Sequence, residues 1–183
     1  MTRIVAGTAK GRMLQVPKSG TRPTSERVRE ALFSRIEHYG YLKGSRVLDL
    51  FAGSGALGLE AASRGAAEVI AVEANANAVR VIRANAQETG LRLDVYQGKA
   101  ETYLVTAASG EFDLVLIDPP YDYSDEALEE LLLALSPHLC ADAMILVERS
   151  KHSPEPVWPA GIALADQRSW GDTRVWTAFM QDE

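Results

Sequence analysis

Four consecutive residues, Asp118-Pro119-Pro120-Tyr121, combine an acid, two prolines and an aromatic ring directly after the apolar run 112–117. An apolar run of that length ending at prolines is typical of a buried strand that stops abruptly. Open α/β sheets place their ligands at the carboxyl edge of such strands. The four residues therefore predict a ligand site, with a plain proline turn after an N-capping acid as the structural alternative.

These residue types suit a reaction at an exocyclic amine of a nucleobase. The lone pair of such an amine is delocalised into the ring, so a catalyst has to hold the amino hydrogens and turn the lone pair toward an electrophile. Asp118 and the Pro119 carbonyl could accept those hydrogens, because Pro119 and Pro120 fix φ and add no competing N–H donor. Tyr121 could stack on a base that has left its helix. All four residues are predicted to be catalytic.

A glycine-rich loop, Gly53-Ser54-Gly55-Ala56-Leu57-Gly58, lies between the first strand and the first helix of the predicted core. In dinucleotide-binding proteins such glycines let the backbone approach a pyrophosphate. Asp49 argues against that ligand, because its charge would repel a pyrophosphate and favour the sulfonium and ammonium groups of S-adenosylmethionine. Glu73 ends the second strand and can hydrogen-bond the ribose of either cofactor. The preference for S-adenosylmethionine therefore depends on Asp49 and on residues 118–121.

The residues after the third predicted strand, Lys99 and Ala100, are candidates for contacts with the adenine of the cofactor. The backbone N–H of Ala100 could face an adenine nitrogen, whereas Lys99 cannot accept a hydrogen bond from the adenine amine and is interpreted as a surface lysine. The cofactor-binding residues predicted in the core are Asp49, Phe51, Ala52, Gly53, Ser54, Gly55, Gly58, Glu73, Ala74, Ala100 and Asp118.

Composition indicates one globular domain. The 183 residues are 46% hydrophobic and 24% charged, which is ordinary for a chain that buries a core. No apolar stretch has the length of a membrane span and the first residues lack the apolar segment of a signal peptide, so a cytoplasmic protein is expected. Cys140, the single cysteine, excludes an internal disulfide and is predicted to be a small core residue at a helix end. No metal is predicted, because the three histidines lack ligand spacing.

Charge is distributed unevenly along the chain. Residues 1–43 carry a net charge of +6 and the remainder −12, which gives −6 overall. A basic segment on an acidic body predicts that RNA phosphates are bound near the N-terminus, although a merely solvated segment is as consistent with charge alone. The predicted RNA-binding residues are Arg3, Lys10, Arg12 and Lys18. A monomer is expected because no surface stretch is conspicuously apolar.

From Arg46 onward, short apolar runs alternate with longer amphipathic ones. Strands are predicted at 46–51, 68–73, 91–96, 112–117 and 143–148, with helices at 56–64, 75–88 and 124–137. This βαβ pattern predicts a Rossmann-like α/β fold with a doubly wound, mostly parallel sheet. Two further strands, 162–169 and 173–180, flank a Gly171-Asp172 turn with no room for a helix, so one of them should run antiparallel.

The first 43 residues form a predicted extension to the catalytic core of residues 44–183 within a single domain. Residues 2–16 predict a short β-hairpin turned at 7–11. Thr24 or Ser25 is expected to cap a helix that runs to about Tyr39. Its predicted apolar face contains Val28, Ala31, Leu32, Ile36 and Tyr39.

These motifs together resemble class I S-adenosylmethionine-dependent methyltransferases that methylate amines. More closely, the chain is similar to bacterial small-subunit ribosomal RNA guanine-N2 methyltransferases, which modify a guanine near the P site (the guanine-966 type). The resemblance covers nearly the whole chain and lies in Arg3-Ile4-Val5-Ala6-Gly7, Lys10-Gly11-Arg12, Thr21-Arg22-Pro23-Thr24, Arg27-Val28-Arg29-Glu30-Ala31-Leu32-Phe33, residues 49–58 and 118–121, and Gly171-Asp172-Thr173.

The resemblance implies a seven-stranded sheet with an antiparallel last strand, a hairpin that helps grip RNA, and a helix whose start closes over the methionine end of the cofactor. It implies that Arg22, Pro23 and Thr24 line the cofactor pocket and that Asp118, Pro119 and Tyr121 bind the target guanine. The implied partner is 16S ribosomal RNA within the small subunit or an assembly intermediate. Lys99 departs from the acid commonly present there in the wider superfamily.

Three alternatives remain from the sequence. The Asp-Pro-Pro-Tyr motif is shared with adenine-N6 methyltransferases of DNA or RNA, so it does not name the base. The glycine loop is also compatible with an NAD(P)-dependent oxidoreductase. A catalytically idle RNA-binding module could keep the same fold, although intact Asp118 and glycines argue against decay.

Overall fold

The computed structural model describes residues 1–18 and 24–182. Its strands are β1 (Thr2–Arg3), β2 (Met13–Leu14), β3 (Arg46–Asp49), β4 (Glu68–Glu73), β5 (Asp94–Gln97), β6 (Phe112–Ile117), β7 (Leu139–Ser150), β8 (Ile162–Trp170) and β9 (Thr173–Met180). Its helices are α1 (Glu26–His38), α2 (Ala56–Ser63), α3 (Ala76–Thr89), α4 (Ala100–Thr106) and α5 (Asp125–Leu135), followed by a 3₁₀ turn at Ser136–His138. The cofactor residues predicted at Arg22 and Pro23 lie outside the described residues.

Seven strands form one sheet in the order β5-β4-β3-β6-β7-β9-β8. The first five are parallel, and β9 runs antiparallel to both β7 and β8. The predicted α/β class, the seven strands and the antiparallel last strand are confirmed. Strand order reverses between β3 and β6, and such a switch point opens a crevice at the carboxyl ends of the strands.

The central strand β6 is buried on both faces, between the helices on either side of the sheet. Its side chains alternate, so Leu114 and Leu116 contact the apolar cluster under α1, while Val115 and Ile117 contact the cluster under α5. Helix α5 contributes a leucine stripe at spacings of three and four residues, which is the helical repeat; its buried members are Leu128, Leu131, Leu132 and Leu135. This packing fixes where β6 ends and therefore where Asp118 lies.

The N-terminal hairpin is built onto the helical layer. Strands β1 and β2 pair antiparallel, as predicted, and Ile4 and Leu14 pack with Leu59 of α2 in a small apolar cluster. The Asn85 side chain of α3 accepts a hydrogen bond from the Gln15 N–H (2.8 Å) and donates one to its carbonyl (2.9 Å). These contacts hold the hairpin beside the sheet.

Helix α1 begins as predicted and buries Leu32 and Ile36 of the predicted face, together with Arg29 and Phe33, which were not predicted there. Ser25 is its N-cap and accepts a hydrogen bond from the Val28 N–H at 3.2 Å. Tyr39, predicted on the apolar face, instead forms the C-cap and is 48% exposed. The fully buried polar residue is Arg29, at 1% exposure. Helical periodicity predicted Tyr39 on the buried face, but the helix ends at His38, so the periodicity does not extend to Tyr39.

Other elements also differ from the predicted ones. Helix α4 was not predicted, because its two buried large side chains, Tyr103 and Leu104, are too few to show helical periodicity. Strand β5 is shorter than predicted, and β7 begins four residues earlier. Cys140 consequently lies in a strand and is partly exposed, with its thiol donating to the Gly110 carbonyl at 2.9 Å.

Membrane-spanning helices are absent from the described residues: no helix there is long and apolar enough to cross a bilayer.

Candidate active site

A cavity of about 1270 Å³ lies at the carboxyl ends of the central strands. It brings together segments that are far apart in sequence: the loop after β3, the end of β4, the start of α4 and the loop after β6. The predicted site residues that line it are Thr24, Phe51, Ala52, Gly53, Ser54, Glu73, Ala74, Ala100, Asp118, Pro119, Pro120 and Tyr121. Both halves of the predicted site therefore face one space.

Glu73 is fixed at the end of β4 by backbone donors. One carboxylate oxygen accepts a hydrogen bond from the Gly53 N–H at 2.9 Å, and the other accepts from the Asn75 N–H at 2.8 Å. Each oxygen retains a second lone pair. Glu73 thus links the glycine loop to β4 and still presents acceptors to the cavity.

Two glycines of the loop shape the backbone and do not line the cavity. Gly55 is the N-cap of α2 with φ of 81°, a left-handed conformation that favours glycine. A Cβ at Gly58 would meet side-chain atoms of Leu93 at 3.1 Å and Val69 at 3.2 Å. Gly58 therefore lets α2 approach the sheet closely, and the predicted cofactor contacts of the two glycines stay predictions.

Asp49 lies beneath the loop and is fully buried, so it is not among the lining residues. Burial raises the pKa of its carboxyl group to about 7, with a smaller contribution from Glu73; the backbone N–H groups of Gly58 and Phe51 oppose the shift. Within the described chain, neither oxygen has a hydrogen-bond partner of good geometry. The Asp49 side chain therefore points into the core under the loop, and its predicted role in favouring a cationic cofactor stays a prediction.

We expect Asp49 to contribute a loss of stability in the unliganded protein as pH rises from about 4 to about 7. The folded state keeps the proton on Asp49 in this interval while the unfolded state releases it, so raising the pH favours unfolding. Asp49→Asn, which is neutral at every pH, should remove this part of the slope. Urea denaturation of both proteins at several pH values measures it, and parallel pH profiles would contradict the assignment.

The residues of the loop 118–124 differ in how far they are exposed to solvent. Asp118 is half-buried and Pro119 is buried, whereas Pro120 is exposed and the Tyr121 side chain is 69% exposed. The Tyr123 N–H donates to the Pro120 carbonyl at 3.0 Å and closes a turn behind the motif. The acid therefore faces the cavity from its floor, and the Tyr121 ring lies at its mouth where a flat ligand could stack.

Thr24 connects the start of α1 to the end of β7. Its hydroxyl donates to the Glu148 carboxylate at 3.5 Å, and both residues line the cavity. Thr24, the first residue described after 19–23, therefore lies at the cavity. This position is consistent with the cofactor contact that the resemblance implied for it.

The residues that border the cavity and were not singled out from the sequence include Glu101, Tyr123 and Arg149. The Tyr123 ring contacts Phe51 edge to face, with 5.2 Å between centroids, and its hydroxyl donates to Glu101. Glu101 follows a strand end and so carried a positional signal. Arg149 directly follows the predicted strand 143–148 and had the same positional signal, although an arginine at a strand end is ordinarily a solvated charge.

The four predicted RNA-binding residues are all exposed and lie outside the cavity. Arg3 is paired with Glu26, with 3.0 Å between Arg3 Nε and Glu26 Oε2. Lys10, Arg12 and Lys18 therefore remain the better candidates for phosphate contacts. In residues 1–18 and 24–182, no group of three or more His, Cys, Asp or Glu side chains could hold a metal ion.

Comparison with known proteins places the chain in a family. Residues 2–179 match the model of the family described as conserved hypothetical protein 95. The Escherichia coli K12 ribosomal RNA small subunit methyltransferase D is 35% identical over 173 residues, covering 92% of this chain and 85% of that protein. The chain belongs to the ribosomal RNA small subunit methyltransferase D family.

A second member of the methyltransferase D family, from Haemophilus influenzae, is 34% identical and covers 83% of this chain and 80% of its own length. Among solved structures, the Escherichia coli protein yhhF aligns with a TM-score of 0.86 at 31% identity, covering 98% of both chains. The resemblance predicted from the motifs is thus confirmed for the family and for the methyltransferase class. The relatives' names give the substrate as small-subunit ribosomal RNA and do not state the base.

The methyltransferase fold extends to more distant proteins. SMU.776, a protein complexed with SAH, aligns with a TM-score of 0.69 at 16% identity, covering 84% of this chain and 48% of that one. At that identity the similarity shows the fold alone.

Proposed function

We propose that this member of the methyltransferase D family transfers a methyl group from S-adenosylmethionine to the exocyclic N2 amine of one guanine in 16S ribosomal RNA, at the guanine-966 type of site near the P site. The observation that carries the proposal is that Asp118 and Pro119 share one cavity with Glu73 and the glycine loop. An amine held at the first pair would be adjacent to a cofactor held at the second.

The residues present fit S-adenosylmethionine. Glu73 retains a free lone pair on each oxygen for the ribose hydroxyls. Phe51 and Ala100 offer apolar walls for the adenine, and Gly53 lets the backbone approach. Five acidic and three basic side chains of the described chain line the cavity, which favours a ligand bearing a sulfonium and an ammonium. The cofactor supplies an electrophilic methyl group when bound.

The chain's own residues position the amine. Asp118 and the Pro119 carbonyl hold the two N2 hydrogens, so that the nitrogen lone pair points along the line of attack. The N–C bond forms as the S–C bond breaks, which leaves a neutral thioether, and the displaced N2 proton can pass to the Asp118 carboxylate. Positioning and electrostatics supply most of the rate.

The donor pattern of the base favours guanine over adenine. Guanine presents an N1–H donor beside N2, so one carboxylate at Asp118 can accept from both positions. Adenine presents an acceptor at N1, which would face the same carboxylate unfavourably. Adenine-N6 enzymes of this fold also usually carry an added target-recognition region, and no insertion of this chain is long enough to supply one.

A cofactor titration tests the first half of the proposal. Thermal shift is measured with S-adenosylhomocysteine and, separately, with NAD. We expect stabilisation by S-adenosylhomocysteine, which grows by about 1.4 kcal/mol for each tenfold excess over the dissociation constant. Stabilisation by NAD alone would contradict the proposal and favour an oxidoreductase.

The N-terminal hairpin is proposed to contact RNA through phosphates. We expect the triple variant Lys10→Glu/Arg12→Glu/Lys18→Glu to bind substrate RNA more weakly and with a flatter salt dependence, because each phosphate contact contributes about −0.9 to the slope of log K against log salt for duplexes. Binding is measured between low and physiological salt. The triple variant Lys43→Glu/Arg92→Glu/Arg168→Glu changes net charge equally at exposed positions elsewhere. Equal slopes in the two variants would rule out the hairpin as the RNA contact.

The acidic body of the protein suggests how the substrate is presented. Outside residues 1–43 the net charge is −12, so naked RNA would be held poorly. We propose that the substrate is a protein-containing small-subunit particle, met in the cytoplasm by a monomer of this chain.

A further inference from the structure

The loop 118–124 is closed by Tyr123. The Tyr123 N–H donates to the Pro120 carbonyl at 3.0 Å, and its ring packs against the large apolar cluster of the sheet. The ring meets Phe51 with 5.2 Å between centroids and an interplanar angle of 68°. Tyr123 therefore bridges the strand that carries the catalytic motif and the strand that carries the glycine loop.

The Tyr123 hydroxyl fixes this bridge to a third element. It donates to the Glu101 carboxylate in the first turn of α4. Burial raises the pKa of Tyr123, and the hydrogen bond to Glu101 raises it further. The hydroxyl therefore stays protonated, and remains a donor, at any pH at which the enzyme would be assayed.

Arg149 holds the same loop from the opposite side. Its Nη2 donates to the Tyr123 carbonyl at 2.8 Å and to Asp125 Oδ1 at 2.9 Å. The Arg149 side chain is 8% exposed, and a charged hydrogen bond of this kind is among the stronger ones. Ser124, between its two acceptors, caps α5 through the Ala127 N–H at 3.0 Å. The loop is consequently tied to α4, to α5 and to β7.

We propose that Tyr123 and Arg149 are positioning residues that hold Asp118–Tyr121 in the geometry needed for methyl transfer. This inference rests on the proposed function. A preorganised acceptor pair lowers the barrier only while its geometry is held, and a misplacement of about 1 Å can reduce the rate about 10²-fold. The two residues need not touch the target base to have this effect.

The test compares Arg149→Gln and Tyr123→Phe with the wild type. We expect kcat to fall about 10- to 100-fold in Arg149→Gln and by less in Tyr123→Phe, with the dissociation constant for S-adenosylhomocysteine nearly unchanged. Arg149→Lys should recover part of the rate, because a lysine ammonium keeps the charge and can donate to both acceptors, but from a side chain of different length and shape. Arg46→Gln is the matched control: Arg46, like Arg149, has two partners, in its case Glu68 at 2.9 Å and Glu111 at 3.6 Å, but it does not line the cavity.

Hydrogen exchange provides a readout that needs no RNA. The Tyr123 amide should exchange about tenfold faster in Arg149→Gln than in the wild type and the Arg46→Gln control. Unchanged exchange, or faster exchange with kcat equal to that of the wild type, would overturn the inference. If the wild type itself transfers no methyl group to RNA, the proposed function fails, and the exchange rate still decides whether Arg149 holds the loop.

Discussion

Asp118→Ala should abolish methylation while S-adenosylhomocysteine still binds. The carboxylate is proposed to hold the amino hydrogens of the target base, and removing such an electrostatic group costs about 10²–10³-fold in kcat. Loss of the proton acceptor adds to this, so we expect a reduction of about 10³-fold or more. Single-turnover transfer to RNA and calorimetric titration with S-adenosylhomocysteine measure the two quantities.

Two further variants sharpen this prediction. Asp118→Asn keeps the shape, but its amide has only one acceptor oxygen, so an intermediate rate is expected. Asp122→Ala removes an exposed carboxylate from the same loop, at a position that does not line the cavity, and should leave transfer nearly intact. Substantial turnover in Asp118→Ala would show that the amine is held elsewhere.

Glu60→Ala is expected to be the most destabilising single change considered. Glu60 is completely buried and accepts from the backbone N–H groups of Val5 at 2.9 Å and Ala6 at 3.1 Å. Its carboxylate also meets Arg64 at 3.0 Å and Arg29 at 3.7 Å. Removing it leaves the buried Arg29 guanidinium without its paired carboxylate and the Val5 and Ala6 N–H groups without their acceptor, which costs about 3–5 kcal/mol. Urea denaturation measures the loss.

The physical cause of that loss is the environment of Arg29. Burial lowers the pKa of its guanidinium, and the Glu60 charge is the main opposing influence. In the described chain, Arg29 Nε and Nη1 have no hydrogen-bond partner, while Nη2 donates to Thr2 and to the Arg3 carbonyl. Glu60 lies on α2 and contacts both the hairpin and α1, so its removal should weaken the packing of all three elements.

The matched control for this stability prediction is Glu68→Ala. Glu68 pairs with Arg46 at 2.9 Å, but both side chains are about 40% exposed, so removing the pair should cost about 1 kcal/mol or less. If Glu60→Ala unfolded at the same urea concentration as Glu68→Ala, the buried contacts of Glu60 would contribute no more to the free energy of unfolding than an exposed ion pair does.

The catalytic edge could be predicted from the sequence because its signals are local. Apolar runs mark the buried strands, and whatever follows a parallel strand lies at one edge of the sheet. Asp118 and Glu73 were therefore brought together by topology alone. Asp49 is still inside its strand and its side chain points into the core, so its position relative to the cavity did not follow from the order of the strands.

The supporting residues could not be predicted because their partners are distant in sequence. Arg29 fits the surface side of a helical repeat, and its burial depends on partners distant in sequence: Glu60, Thr2 and the Arg3 carbonyl. Arg149 contacts Tyr123 across twenty-six residues. Such pairs depend on how the layers pack, which periodicity does not encode.

The most direct test is transfer of labelled methyl from S-adenosylmethionine to small ribosomal subunits that lack this modification, followed by nucleoside analysis of the 16S RNA. The account predicts label in N2-methylguanosine, at a single site, and far less transfer to the naked RNA. Label in N6-methyladenosine would contradict the assignment of the base, and no transfer to any RNA would contradict the proposed function.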